Sequence, residues 1–214
     1  MGLSVGYSYA LTNLMVDGSF ENCIVGSYTV NGTWFDTSAA WSASYATGAT
    51  GTYNIVNTGA QDGGKCFKSI RTDSNPLPWN LLPAWNLNAF YQVTPGHSYT
   101  IDFWAHTDAS DIGGVQVQMP AGYNNGNLNV VDTVLNQWTS LGSAWGYYSY
   151  TFTAPTYAGY SIDYVGPTFS LSKGTVWIDN IRMYDNAPVP EPASILAMLS
   201  GLVGFVGFAA RKRS

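Results

Sequence analysis

The sequence predicts an antiparallel all-β sandwich, and three observations carry that expectation. Aromatic residues make up 15% of the 214 positions and charged residues only 10%. Aromatic and β-branched side chains pack well on a pleated, half-buried surface, so the mix suits strands better than helices. Short runs of such residues alternate with Gly-, Pro-, Asn- and Ser-rich turns. No segment before residue 193 has helical periodicity. The length suits one domain with appendages and allows a sizeable core.

In chain order, residues 1–10 lack the basic start and the apolar run of a signal peptide. Ser8-Tyr9-Ala10 nevertheless has the small–x–small form of a signal peptidase site. The segment reads as the remnant of a signal peptide, with an ordinary disordered terminus as the alternative. Residues 11–186 read as the folded domain. Strands are expected at Cys66–Arg71, Ala89–Val93, Ser98–Ala105, Val115–Met119, Tyr147–Thr153, Tyr160–Val165 and Thr175–Tyr184. In Ser98–Ala105 the residues Tyr99, Ile101 and Phe103 fall on one face. The turn Thr94-Pro95-Gly96-His97 separates two of these strands. Alternating prolines in 187–192 then remove backbone donors and end the fold.

Net charge is −5, but Arg211, Lys212 and Arg213 hold three of the eight basic residues. The rest of the chain carries five basic against thirteen acidic residues. Such a body repels phosphate backbones, which argues against nucleic-acid partners. Cys23 and Cys66 belong to no CxxC pair or Cys/His cluster, which argues against zinc. In an oxidising compartment they would form one disulfide, closing a loop of about 44 residues and stabilising by roughly 4 kcal/mol. Two separately buried thiols are the alternative.

Residues 193–210 are eighteen positions without a charge. As a helix they would span about 27 Å, enough to cross the hydrocarbon layer of a bilayer. The three cations that follow at once place the C-terminus on the cytoplasmic side and the folded domain outside. Val189-Pro190-Glu191-Pro192, one apolar span and the basic end Arg211-Lys212-Arg213 resemble the PEP-CTERM sorting signal of biofilm-forming Gram-negative bacteria. That resemblance implies an inner-membrane intermediate, processing near the Pro-Glu-Pro triplet by an exosortase-type enzyme, and a mature domain at the cell surface or outside the cell. It gives an address and not an activity.

Inside the domain the marks are Val16-Asp17-Gly18-Ser19-Phe20-Glu21, Gly63-Gly64-Lys65-Cys66-Phe67-Lys68, Tyr91-Gln92-Val93, Pro95-Gly96-His97-Ser98-Tyr99, Tyr150-Thr151-Phe152-Thr153-Ala154 and Val176-Trp177-Ile178-Asp179-Asn180-Ile181. In this order they resemble carbohydrate-binding modules of the galactose-binding-like jelly-roll type. The resemblance implies first and last strands side by side and a structural Ca²⁺ held by Glu21 and Asp179. With six to eight oxygens to satisfy, the ion would also draw on backbone carbonyls, near Ser19 and Lys65. The alternative is that both carboxylates cap turns.

Sugar binding needs flat aromatic faces for the C–H side of a ring and amides or carboxylates for its hydroxyls. The loop candidates are Trp79 with Asn80, Trp85 with Asn86, and Tyr123 with Asn124, Asn125 and Asn127. Trp104, Trp145 and Trp177 lie in strand patterns and are expected in the framework. Asp102, Asp108, Asp111, Asp132 and Asp163 are scattered singles, whereas a glycosidase needs two carboxylates across one bond. His106 with Asp108 and Asp111 reads as a solvated loop, and no nucleophile-elbow motif is present. These readings imply non-catalytic association with a polysaccharide. A purely structural surface protein is the alternative, and a glycoside-active enzyme the third possibility.

Overall fold

Which side of each strand faces the core is decided by alternation, and β8 shows it most simply. Tyr99, Ile101, Phe103 and Ala105 are buried, whereas Thr100, Trp104 and His106 between them are half-buried. The computed structural model describes residues 11–187 except 30–32, 36–39, 45–49, 74–78, 84–90, 112, 125–127, 158–159 and 162–163. The chain divides into two units, Leu11–Asn186 and the terminal segments Met1–Ala10 with Ala187–Ser214. Of the second unit only Ala187 is described. The signal-peptide remnant expected at 1–10 and the membrane span expected at 193–210 therefore lie outside the described residues. Among those that are described, no helix is long and apolar enough to cross a membrane.

The strands begin with β1 (Gly26–Tyr28), β2 (Thr33–Trp34), β3 (Trp41–Ser44), β4 (Gly51–Val56) and β5 (Cys66–Arg71). Next come β6 (Trp79–Pro83), β7 (Tyr91–Gln92), β8 (Ser98–Thr107), β9 (Gly114–Asn124) and β10 (Leu128–Ser140). The last are β11 (Gly146–Thr153), β12 (Thr156–Tyr157), β13 (Tyr160–Ser161), β14 (Tyr164–Val165), β15 (Thr168–Leu171) and β16 (Gly174–Asp185). Among the described residues every pairing is antiparallel, as expected. The strand expected at 89–93 is described only as β7, and the one expected at 160–165 is split between β13 and β14. Tyr160 pairs back to Tyr157, while Tyr164 joins β7 and β9.

One sheet has six strands in the order β1-β4-β5-β16-β8-β11. The other runs β2-β3-β6-β15-β9-β14-β7, with β10 paired to β9 at its edge. Their facing sides bury an aromatic core. Phe103 of the first sheet meets Phe169 of the second edge-on at 5.2 Å. Phe20 lies 5.3 Å from Trp41 and 6.1 Å from Phe67, and Phe35 lies 5.7 Å from Phe67. Such offset and tilted pairs suit the ring quadrupole and add to area burial.

The N-terminal segment lies along β16. Leu14 N donates to Met183 O at 2.8 Å and Ile181 N to Gly18 O at 2.9 Å. Trp41 Nε1 donates to the carbonyls of Val16 and Asp17, pinning the segment from the other sheet. Between Asp179 and Arg182 the register of β16 against β8 shifts. Asn180 has a φ of 50° there, and the bulge turns the Ile181 N–H toward Gly18.

Candidate functional site

The outward side of the second sheet is built by the other half of the same alternation. In β9 the side chains of Val115, Val117 and Met119 are buried, so Gln116 and Gln118 face away from the core. The register lines up Asn80, Ser170, Gln116 and Trp138 in one cross-strand row over β6, β15, β9 and β10. Thr168, Gln118 and Asn136 form the adjoining row. Ser170 Oγ lies 2.7 Å from Asn80 Oδ1 and 3.4 Å from Gln118 Oε1. Gln116 Nε2 donates to Asn136 Oδ1 at 2.7 Å. These contacts hold the amides in place: Ser170 is buried beneath them, Asn80, Gln116 and Gln118 are half-buried, and Asn136 is exposed. Trp138 ends the row, 55% exposed. Its indole rests against Gly114, where a Cβ would collide with the ring. The face thus pairs a flat apolar ring with neutral, planar amides.

Of the residues expected to contact a ligand, Trp85 and Asn125 lie outside the described residues, and so do Asn86 and Asn127. Trp79 pairs with Leu171, which pairs with Val115; both partners are buried. Tyr123 and Asn124 sit at the far end of β9, opposite Asn129 and Leu128. Eight residues of strand separate Val115 from Tyr123, about 27 Å. The backbones of Trp79 and the Tyr123 group therefore stand level with opposite ends of β9. Asn80 is the member of the expected set that joins the amide rows.

Glu21 and Asp179 hold opposite ends of one loop. Glu21 Oε1 accepts from Gly64 N at 2.8 Å and Lys65 N at 2.9 Å. Asp179 Oδ2 accepts from Gln61 N at 2.8 Å and Asp62 N at 3.0 Å, and Asn180 N donates to Oδ1. Gly63, at a φ of 63°, lies where a Cβ would press on the Glu21 carboxylate. Asp179 is fully buried, and burial pushes its carboxyl up to about 6 against the help of three amides. Lys65 Nζ donates to the carbonyls of Glu21 and Cys23. Among the described residues no group of three or more His, Cys, Asp or Glu is gathered for a metal.

The expected disulfide is not formed: Cys23 and Cys66 are separate buried thiols. Cys23 Sγ donates to Asp17 Oδ2 at 3.4 Å and Cys66 Sγ to Thr58 O at 3.9 Å. Each sulfur is turned into its own segment, Cys23 toward the turn that follows Asp17 and Cys66 toward the loop that precedes β5. Burial pushes the Cys66 thiol up to about 12, with the charges of Asp179 and Glu21 adding to the effect. It stays protonated and a poor nucleophile.

Trp104, Trp145 and Trp177, expected in the framework, are not in the buried core. Trp104 and Trp177 are half-buried on the outward side of the six-stranded sheet, and Trp145 is half-buried just before β11. His106 stacks on Trp177 at 5.2 Å and meets Trp145 edge-on at 4.4 Å. Asp108 and Asp111 do not converge with it. Asp108 Oδ1 accepts from Trp177 Nε1, and Asp111 Oδ2 from Thr175 N.

Residues 188–214 match the family model described as a PEP-CTERM protein-sorting motif, which implies export and processing by the exosortase pathway. No curated protein matches the sequence. Among solved structures, the chain is similar to the enzymatically active domain of tailspike protein 4 from bacteriophage CBA120, at 15% identity and a TM-score of 0.57, over 81% of this chain and 21% of that one. It is similar to a CBM4 carbohydrate-binding module at 17% identity and a TM-score of 0.54, over 80% of this chain and 99% of that one. It is also similar to the tandem CBM22-1–CBM22-2 domain of Xyn10C from Paenibacillus barcinonensis, at 13% identity and a TM-score of 0.51, over 87% and 49%. The chain spans about a fifth of the tailspike chain and nearly all of the CBM4 module. These likenesses show the fold, a jelly-roll β-sandwich.

Proposed function

We propose that this chain, a jelly-roll domain followed by a PEP-CTERM sorting motif, is an exported, non-catalytic protein that binds neutral polysaccharide at the cell surface. The observation that carries this reading is the row Asn80–Ser170–Gln116 ending on exposed Trp138. A pyranose needs an apolar ring for its C–H face and paired donors and acceptors for vicinal hydroxyls, and this row offers both. None of its members is charged, which suits an uncharged sugar. Asp102, Asp108 and Asp111 are each engaged by a different partner, which fits binding without hydrolysis. In this reading the tail crosses the inner membrane over 193–210 with Arg211, Lys212 and Arg213 inside, and an exosortase-type enzyme cuts near Val189-Pro190-Glu191-Pro192.

The test is affinity electrophoresis through gels containing soluble β-glucan, xylan or galactan. The wild-type protein is retarded by at least one of them. Trp138→Ala weakens that retardation about tenfold, roughly 1.4 kcal/mol, and leaves the thermal midpoint unchanged because the indole is largely exposed. Equal retardation of wild type and variant moves the ligand away from this face. No retardation in any gel contradicts the reading.

We further propose a Ca²⁺ at Glu21 and Asp179. What supports it is that both carboxylates hold the one loop: Asp179, buried, accepts from the amides of Gln61, Asp62 and Asn180, and Glu21 Oε1 from those of Gly64 and Lys65. The ion would supply the positive charge that this pair of carboxylates lacks, tying the N-terminal segment to β16. Only the folded chain offers both residues, so free Ca²⁺ at a hundredfold above its dissociation constant stabilises by about 2.7 kcal/mol. Thermal unfolding in EDTA and in excess Ca²⁺ reads this. Asp179→Ala abolishes the difference, and a wild-type midpoint indifferent to Ca²⁺ reduces the pair to a loop clamp.

A further inference from the structure

The amide face accounts for one side of the sandwich, and the six-stranded sheet carries another face that the reading above does not use. There Tyr147 of β11 sits opposite Trp104 of β8, with ring centroids 5.4 Å apart and the phenol ring 48% exposed. One step along the sheet, Asp102 is opposite Arg182 of β16, and Arg182 Nε donates to Asp102 Oδ1 at 2.8 Å. Tyr147 OH donates to the other oxygen, Asp102 Oδ2, at 3.0 Å. The carboxylate is buried, at 5% side-chain exposure, whereas the guanidinium is 34% exposed. Asp102 therefore works from below. It fixes the phenol and the guanidinium in position while both remain open to solvent.

We propose that this face is a second carbohydrate site, centred on Tyr147, Trp104 and the Asp102–Arg182 pair, and that each chain holds two glycan strands on opposite sides of the sandwich. The inference rests on the carbohydrate-binding reading above and extends it. Two rings beside a planar, preorganised guanidinium supply the apolar and the bidentate polar parts of pyranose recognition. Charge decides the ligand class. Arg182 is neutralised by Asp102, so the patch offers rings and oriented dipoles without a net charge, which complements an uncharged sugar. A polyanion would meet the acidic body of the chain with no free cation at the pair to offset it. An oligosaccharide lying flat on one face does not touch the other, because the outward sides of the two sheets are opposed across about 10 Å. Two-sided binding turns the protein into a cross-linker of polysaccharide, with avidity set by how many strands are held at once.

The test uses the full chain in a detergent without a sugar headgroup, titrated calorimetrically with cellohexaose and xylohexaose. Wild type takes up two oligosaccharides per chain. Tyr147→Ala and Trp138→Ala each lower the stoichiometry to one, and the double variant binds none. Because Tyr147 is half-exposed at an edge strand, its truncation keeps the fold, checked by an unchanged thermal midpoint. Tyr147→Phe keeps the ring and retains two-site binding with affinity reduced severalfold at one site. In solutions of the matching long polysaccharide, wild type raises viscosity and either single variant does not. One oligosaccharide per wild-type chain, lost entirely in Trp138→Ala and untouched in Tyr147→Ala, overturns the second site and leaves the first intact. Binding of neither oligosaccharide overturns both. A self-associated wild type that Tyr147→Ala converts to monomer, without change in sugar stoichiometry, assigns the face to a second copy of the chain and also overturns the proposal.

Discussion

Ser69 and Asp179 are both completely buried polar side chains, and they differ in how the fold treats them. Ser69 Oγ has no hydrogen-bond partner among the described residues. A buried hydroxyl without a partner keeps its desolvation cost and gains nothing in return. Ser69→Ala is therefore expected to be neutral or to stabilise by up to about 1 kcal/mol, read as an unchanged or raised thermal midpoint. Asp179 is satisfied by three amides, yet burial holds its carboxyl at about 6, above the ordinary 3.8. Between those values the folded state keeps a proton that the unfolded chain releases. Without Ca²⁺, stability contributed by this group is thus present at low pH, falls as pH rises from about 4 to about 6, and is level above that. Asp179→Asn removes this fall, and thermal midpoints in chelator at several pH values would show it. A wild-type and variant pair with parallel pH profiles would contradict the assignment.

Elements show what the sequence could and could not convey. β5, β8 and β11 were legible because each alternates locally, with Phe67, Ile101 and Phe152 buried at positions a period of two predicts. β16 was legible because it alternates on either side of its bulge, with Val176 and Ile178 buried before it and Ile181 and Met183 after. β10 was not, because register shifts between Val130 and Asp132 and between Thr133 and Asn136 break its alternation. The amide face was half legible. Gln116 and Gln118 alternate with buried valines in plain view, but their alignment with Asn80 and Ser170 depends on pairings fifty or more residues apart in sequence, which no local pattern encodes. The tryptophans of β8 and β16 were legible as strand residues, but not the side they face. A strand pattern says that a residue lies on a face, and only the neighbouring strands decide whether that face is covered.

The bulge in β16 yields a prediction at the same scale. A Cβ at Gly18 would collide with the Ile181 carbonyl, at the point where Ile181 N donates to Gly18 O. Gly18→Ala should cost about 1–3 kcal/mol and lower the thermal midpoint by several degrees. An unchanged midpoint would mean that the N-terminal segment does not lie against the bulge in solution.

At the scale of the whole molecule, the domain and the tail answer different questions. The tail gives an address: eighteen uncharged residues ahead of three cations, matched as a PEP-CTERM sorting motif. Deleting 189–214 should move the protein from membrane to soluble fractions, and identical fractionation with and without the tail would contradict membrane transit. The domain gives a surface chemistry of exposed rings and neutral amides on a rigid jelly-roll scaffold. The proposed ligand was readable from sequence only as a class, because the row proposed to meet it draws on four strands. The central claim is that this surface binds neutral polysaccharide, and the most direct measurement is retardation of the protein in native gels containing β-glucan, xylan or galactan. Retardation by at least one of them, weakened about tenfold in Trp138→Ala at an unchanged thermal midpoint, is the predicted result; free migration of the folded wild-type protein through all of them would contradict it.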